Sequence, residues 1–161
     1  MTSQVELELD PPVLPHSTLP GKHHSPMEEI QTTVETEVTE ADRRFLVRSL
    51  VAYNDTRAVS ENYRGLTVLS RSDGVIVGGL IGYTHWNWLF VQQLWVAEDH
   101  RQRGIGSSLM AAAECEALAR GCIHAHCDTF DFQALPFYQK LGYQTFGVLG
   151  DYPVGHTRYF L

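Results

Sequence analysis

Arg101-Gln102-Arg103-Gly104-Ile105-Gly106 offers the plainest chemistry in this chain. The run follows an apolar segment ending in Leu94-Trp95-Val96 and precedes a helix-forming stretch from Ser107 to Arg120. Glycines at 104 and 106 let backbone N–H groups approach an anion, and a helix starting there adds positive potential. A pyrophosphate suits such a turn. Two familiar phosphate cradles fail on residue type. A dinucleotide fingerprint wants a third small residue where Leu109 stands, and a P-loop wants Gly-Lys-Ser/Thr, which is absent. The glycine pair alone is equally compatible with a tight strand-to-helix turn that binds nothing.

A second set of reactive residues lies downstream. Cys122, His124, His126 and Asp128 alternate, so on a strand they share one face. Zinc ligands usually come as closely spaced pairs from loops, and alternate strand residues diverge, so no metal is expected. Lining of a cleft, or ordinary buried polarity, suits the four better. Tyr138 follows in the run Ala134–Tyr143, which starts as a short helix.

These residues need elements to hold them. Alternation of Ile30, Thr32, Val34, Thr36 and Val38 predicts a first strand over about Glu29–Val38. Thr39 before Glu40-Ala41-Asp42 opens a helix whose apolar stripe is Phe45, Leu46, Ser49, Leu50 and Tyr53. Leu66–Arg71 and Val75–Tyr83 flank the turn Ser72-Asp73-Gly74, and Trp88–Val96 returns through His85-Trp86-Asn87. A helix over Gly104–Arg120, closed by Gly121, leads to a strand at Cys122–Thr129. A helix over about Gln133–Leu141, with Pro136 in its first turn and Gly142 at its end, precedes strands at Tyr143–Leu149 and Thr157–Leu161. That order implies an α+β sandwich, a mostly antiparallel sheet with one crossover between Val96 and Cys122.

Composition narrows the function. Length and a hydrophobic fraction of 43% fit one globular domain. Residues 1–27 read as a flexible acidic leader carrying Pro11, Pro12, Pro15, Pro20, Pro26 and scattered histidines, ahead of a single domain over 28–161. Residues 1–40 hold eight acids against Lys22, which accounts for the whole net charge of −7. The remainder is balanced, with no basic footprint for nucleic acid. No apolar run approaches the roughly 20 residues a bilayer span needs, and no secretory signal is visible. Cys115, Cys122 and Cys127 make no disulfide framework, so a reduced cytoplasm is expected.

Together, the Leu94–Leu109 segment and Ala134-Leu135-Pro136-Phe137-Tyr138-Gln139-Lys140-Leu141-Gly142-Tyr143 closely resemble the GNAT superfamily of acyl-CoA-dependent N-acetyltransferases. The resemblance covers about residues 29–161. It implies a mixed six- to seven-stranded sheet with helices on both faces, splayed between the fourth predicted strand (88–96) and the fifth (122–129). It further implies acetyl-CoA as cofactor. The backbone of Leu94, Trp95 and Val96 would hold the pantetheine arm, and the N–H groups of Gln102, Arg103, Gly104, Ile105, Gly106 and Ser107 the pyrophosphate. Arg101 and Arg103 would add charge, and Ser107 and Ser108 hydroxyl donors. Tyr138 matches the family's usual general acid, which protonates the departing thiolate. A main-chain N–H near Leu94 or Val96 would bind the oxyanion. One departure is plain: many relatives carry a basic Glu on the fourth strand, where this chain has Gln92 and Gln93. Asp128 and Asp131 are the candidates for general base, with His85 behind them.

The acceptor is less legible, because the fold serves many amines. Trp86 and Trp88 suggest an aromatic wall, and Asp55, Asp128, Asp131 and Asp151 could meet a polycation. The runs Asp128–Ala134 and Asp151–His156 are similar to a branch of small bacterial GNAT enzymes that includes kasugamycin-type aminoglycoside acetyltransferases. A small cationic amine of an aminoglycoside-type antibiotic is therefore the expected acceptor. Protein or polyamine acetylation, and a non-catalytic acyl-CoA-binding module, are the rival readings. Small relatives often pair, so a homodimer is also open.

Overall fold

The computed structural model describes residues 30–161, and the leader expected over residues 1–27 lies outside them. Residues 30–38 form one unit and Thr39–Leu161 the other. The strand expected at Glu29–Val38 does not form in the described part: residues 30–38 are exposed coil with a bend at Thr36 and Glu37. An alternating pattern stabilises a strand only when a neighbour pairs its edge and something covers its apolar side. Val34, at 97% exposure, has neither.

The second unit opens with α1 (Glu40–Asp55). Thr39 caps it by accepting the Asp42 N–H on its side-chain oxygen, and Glu40 pairs with Arg44 one turn on. These are local devices, worth about 1 kcal/mol for the cap. They suffice to set the helix start without tertiary help. Its apolar stripe does not face a core, however: Phe45, Leu46, Leu50 and Tyr53 are all exposed and α1 buries no residue.

Among the described residues six strands make one sheet in the order β1-β2-β3-β4-β6-β5. They are β1 (Arg64–Ser72), β2 (Val75–His85), β3 (Trp88–Val96), β4 (His124–Phe130), β5 (Gly147–Gly150) and β6 (Thr157–Phe160). Only the β3–β4 pair is parallel, and its crossover helix is α2 (Ile105–Ala119). Both hairpins of the meander use two-residue turns with positive φ at each central position, Asp73-Gly74 and Trp86-Asn87. That conformation matches the twist of the flanking strands. Trp86 is an unusual occupant of the left-handed region. Its indole N–H donates to Val59 O and its backbone N–H to Glu61 O, which offsets the strain.

Leu109, Met110, Ala113 and Ala117 of α2 pack on Leu66, Leu80, Leu89 and Val91 of the sheet. The short α3 (Leu135–Lys140) lies beside α2, with the Phe137 ring against Gly106 and Tyr143 O–H donating to Glu114. The observed architecture is the α+β sheet with a single crossover that the element order predicted.

The parallel ladder is short. Trp88 pairs with His124, and the register ends at Val91 opposite Cys127. From there β4 turns to β6, through Asp128–Phe160 onward, while β3 stays with β2. A bulge at Gln92, between the pairs Ile81–Gln93 and Gly82–Val91, bends β3 at that point. Gly82 is required there, because a Cβ would collide with the Phe90 carbonyl oxygen. The sheet therefore opens into a V between β3 and β4. Gly82→Ala should lower unfolding free energy by about 1–3 kcal/mol in a urea titration, the cost of forcing an atom into a filled site.

Candidate active site

The wide end of the V faces the start of α2. Gly104 precedes the helix in the left-handed region (φ 81°), and the first helical bond runs from Ser108 N to Gly104 O. The N–H groups of Ile105, Gly106 and Ser107 are thus left to point out of the helix end. No acidic residue stands in that first turn to consume them. A Cβ on Gly104 would meet nothing within 4 Å, so the space before the amides is open. Gly106 has a different reason: a Cβ there would press on the Phe137 ring at 3.3 Å. Arg101 donates from Nε to Val96 O, tying the turn to the end of β3, and Arg103 is exposed. Ser108 Oγ is turned back onto Gly104 O, whereas Ser107 is exposed. Along β3, Gln92 to Val96 has no ladder partner on the side of β4. Beyond the ladder this edge of β3 runs from the V towards α2 past Leu94, Trp95 and Val96, with Val96 O taken by Arg101.

Tyr138 is buried among Cys127, Leu161 and the neighbouring Phe137 and Tyr143 rings. Burial pushes its phenol well above the usual value, and Cys127 and Asp128 push it the same way. It stays protonated, as a proton donor must. Burial also pushes the Cys127 thiol up to about 12, so that cysteine is a packing residue.

The opposite face of the sheet carries rings. Tyr83, His85, Trp86, Trp88, Phe90 and His126 line a pocket of about 280 Å³. His85 stacks on Trp86 at 4.2 Å, Trp88 on His124 at 4.4 Å, and Phe90 on His126 at 4.6 Å between centroids. Glu61, from the segment before β1, meets His85 Nε2 at 3.0 Å. A larger cavity of about 740 Å³ shares Trp88 and His126 and continues to His124, Glu114, Tyr143 and Phe146.

Comparison with known proteins decides the family. The acetyltransferase (GNAT) family model matches residues 27–143. The chain belongs to that family. It is 39% identical over 123 residues to an acetyltransferase of Agrobacterium fabrum, covering 75% of this chain and 90% of that one. Blasticidin-S acetyltransferase of Streptomyces morookaense is 45% identical over 89 residues, 55% of this chain. The match spans 65% of that protein, just under two thirds of its length. Among solved structures, an acetyltransferase of Agrobacterium tumefaciens is 37% identical with a TM-score of 0.71, covering 81% of this chain and 97% of that one.

Within this acetyltransferase the sequence-predicted residues separate into two groups. Leu94 to Val96, Arg101 to Ser108 and Tyr138 gather around the V and the start of α2. Trp86 and Trp88 meet in the ring-lined pocket. The aspartates are dispersed and mostly engaged. Asp128 receives both Nε and a terminal nitrogen of Arg158 at 2.7 Å, and that guanidinium also lies over the rings of Phe130, Tyr152 and Phe160. Asp131 accepts from Thr157 N and bonds His156 Nδ1, stapling the start of β6. Asp151 accepts the Gly155 N–H within its own turn, and Asp55 is the exposed last residue of α1. Neither lines the pocket. Glu61, Tyr83 and Phe90 were not legible as site residues, because only the hairpin geometry brings their segments together. Among the described residues no group of three or more His, Cys, Asp or Glu could hold a metal ion. No described helix is long and apolar enough to cross a membrane.

Cysteine labelling checks the burial order. In the folded protein iodoacetamide should modify the exposed Cys115 alone, with Cys122 and Cys127 reacting only after denaturation. Labelling of Cys127 at a rate near that of Cys115 would mean that the wall beneath Tyr138 is open.

Proposed function

We propose that this chain transfers the acetyl group of acetyl-CoA to a primary amine on a small cationic acceptor, by direct attack with both substrates bound. One observation carries the reading: an uncapped helix end and an unpaired strand edge meet at the mouth of the V, on whose far face lies the ring-lined pocket. The residues fit coenzyme A. Its pyrophosphate suits the N–H groups of Gln102 to Ser107, with Arg101 and Arg103 adding positive charge. Its pantetheine arm, which is peptide-like, suits the free edge at Leu94 to Val96. The bound thioester supplies an activated acyl carbon. What the chain adds is placement of that carbon, a backbone N–H of β3 for the oxyanion, and a phenolic proton from Tyr138 for sulfur.

The acceptor pocket favours a cation. Its lining has aromatic faces and no Lys or Arg, with the Glu61 carboxylate behind His85. The similarity to blasticidin-S acetyltransferase supports a basic antibiotic as that acceptor, and aminoglycosides of the kasugamycin type belong to the same chemical range. Inactivation by acetylation of the amine would follow, because a cationic recognition group becomes a neutral amide.

The test is thiol release from acetyl-CoA across a panel of blasticidin S, kasugamycin, other aminoglycosides, polyamines and peptides. Turnover with one of the antibiotics and little with peptides is the expected result. Turnover confined to peptides would sink the acceptor assignment, and none with any amine would sink acetyl transfer. Gly104→Val should weaken acetyl-CoA binding by about tenfold or more, since its side chain fills the space before the amides and strains a positive φ. Unchanged affinity by calorimetry would remove the phosphates from that turn.

A further inference from the structure

An acceptor amine arrives as an ammonium ion and must shed a proton before it can attack. β3 presents Gln92 and Gln93 but no carboxylate at the V. The aspartates that the sequence offered are engaged elsewhere: Asp128 with Arg158, Asp131 with His156 and Thr157 N, Asp151 with Gly155 N. His85 is held by Glu61. We infer that His126, and not a carboxylate, takes the proton from the acceptor's ammonium group. This rests on the acetyl-transfer reading above.

Position argues for it first. His126 immediately precedes Cys127, the last β4 residue paired with β3, so it stands at the narrow end of the V. Its ring lines the aromatic pocket and stacks on Phe90, with Trp88 edge-on at 5.9 Å. Among the described residues it has no hydrogen-bond partner, which leaves its nitrogens for an acceptor or one intervening water.

The surroundings suit a base. On its own strand His126 is flanked by His124 and Asp128, the latter charge-paired with Arg158. β3 contributes Trp88 and Phe90, β2 contributes Tyr83 and His85, and the segment before β1 contributes Glu61, paired with His85. Across the larger cavity stand Glu114 and Tyr143. Burial lowers the imidazole pKa, with Asp128 opposing, so the ring is neutral at neutral pH. Once protonated, it lies against the Phe90 face, which favours a cation.

The protons balance. One passes from R–NH3+ to a ring nitrogen of His126, and the freed lone pair forms the C–N bond at the thioester carbonyl. As the C–S bond breaks, sulfur takes the phenolic proton of Tyr138, which is replaced by the second proton leaving nitrogen. His126 returns its proton to solvent. The sum is one amide, one thiol and one released proton.

The experiment follows thiol release between about pH 5 and 9 with two acceptors of different amine basicity, in wild type, His126→Gln and Asp128→Asn. Because the folded pKa is depressed, wild-type kcat/KM should rise through a limb below the ordinary histidine value, at the same place for both acceptors. His126→Gln should remove that limb and lower kcat by about 10²- to 10³-fold, with acetyl-CoA affinity unchanged. A variant within about threefold of wild type that keeps the limb would overturn the assignment, as would loss of the limb in Asp128→Asn alone. Should His126→Gln fail to fold, wild type still decides, since a limb that moves with acceptor basicity leaves no role for an enzymic base. Absence of turnover in wild type with every amine would instead strike the acetyl-transfer reading itself.

Discussion

Two parallel strands held together over a few residue pairs and then forced apart are the constraint on which this molecule depends. β3 and β4 share a ladder only from Trp88–His124 to Val91–Cys127. Beyond that point each strand has a stronger claim elsewhere. β2 holds β3 through the Gln92 bulge, and β6 holds β4, with Leu161 and Cys127 exchanging backbone hydrogen bonds at 2.9 and 3.0 Å. Unpaired backbone inside a sheet is costly unless something hydrogen-bonds to it. On the proposed reading a peptide-like substrate arm would answer that need, turning a defect in the ladder into a binding edge.

Charge is arranged around the same opening with little overlap. The α2 end presents three unengaged amides and no nearby acid in its first turn, so its potential is positive. The ring-lined face beyond the V has no basic residue in its lining, and its acids are tethered to partners. An anionic donor and a cationic acceptor would thus be drawn to different faces of one sheet and meet where it parts. The rings of Phe130, Tyr152 and Phe160 surround Arg158, whose guanidinium is bonded to Asp128.

Much of this was legible from residue order. The hairpin turns, the β3 boundaries, the glycine-led start of α2 and the position of Tyr138 all rest on local rules: positive-φ turns, helix ends, short-range spacing. The first strand expected over Glu29–Val38 does not form in the described part, and the apolar stripe of α1 covers no core, because alternation and helical periodicity record a capacity to pack and not a partner. Ile30 at 90% exposure and Phe45 at 64% have that capacity unused. The aspartates show the same limit. Asp128, Asp131 and Asp151 read as free carboxylates in one dimension, yet each is engaged by a residue that a turn or β6 returns to it.

By itself, the sequence determined the family and the places of the glycine turn and of Tyr138, since each is a short contiguous pattern whose backbone conformation follows from its own residues. Tertiary structure alone decided which groups share the acceptor face and which are left with unused valence. Glu61 joins His85, and Asp128 joins Arg158, across separations in the chain that loop closure bridges at little cost. Each such pairing occupies a hydrogen-bonding atom of a candidate. Among the described residues none hydrogen-bonds the His126 ring, which is why the proposed proton transfer falls to it.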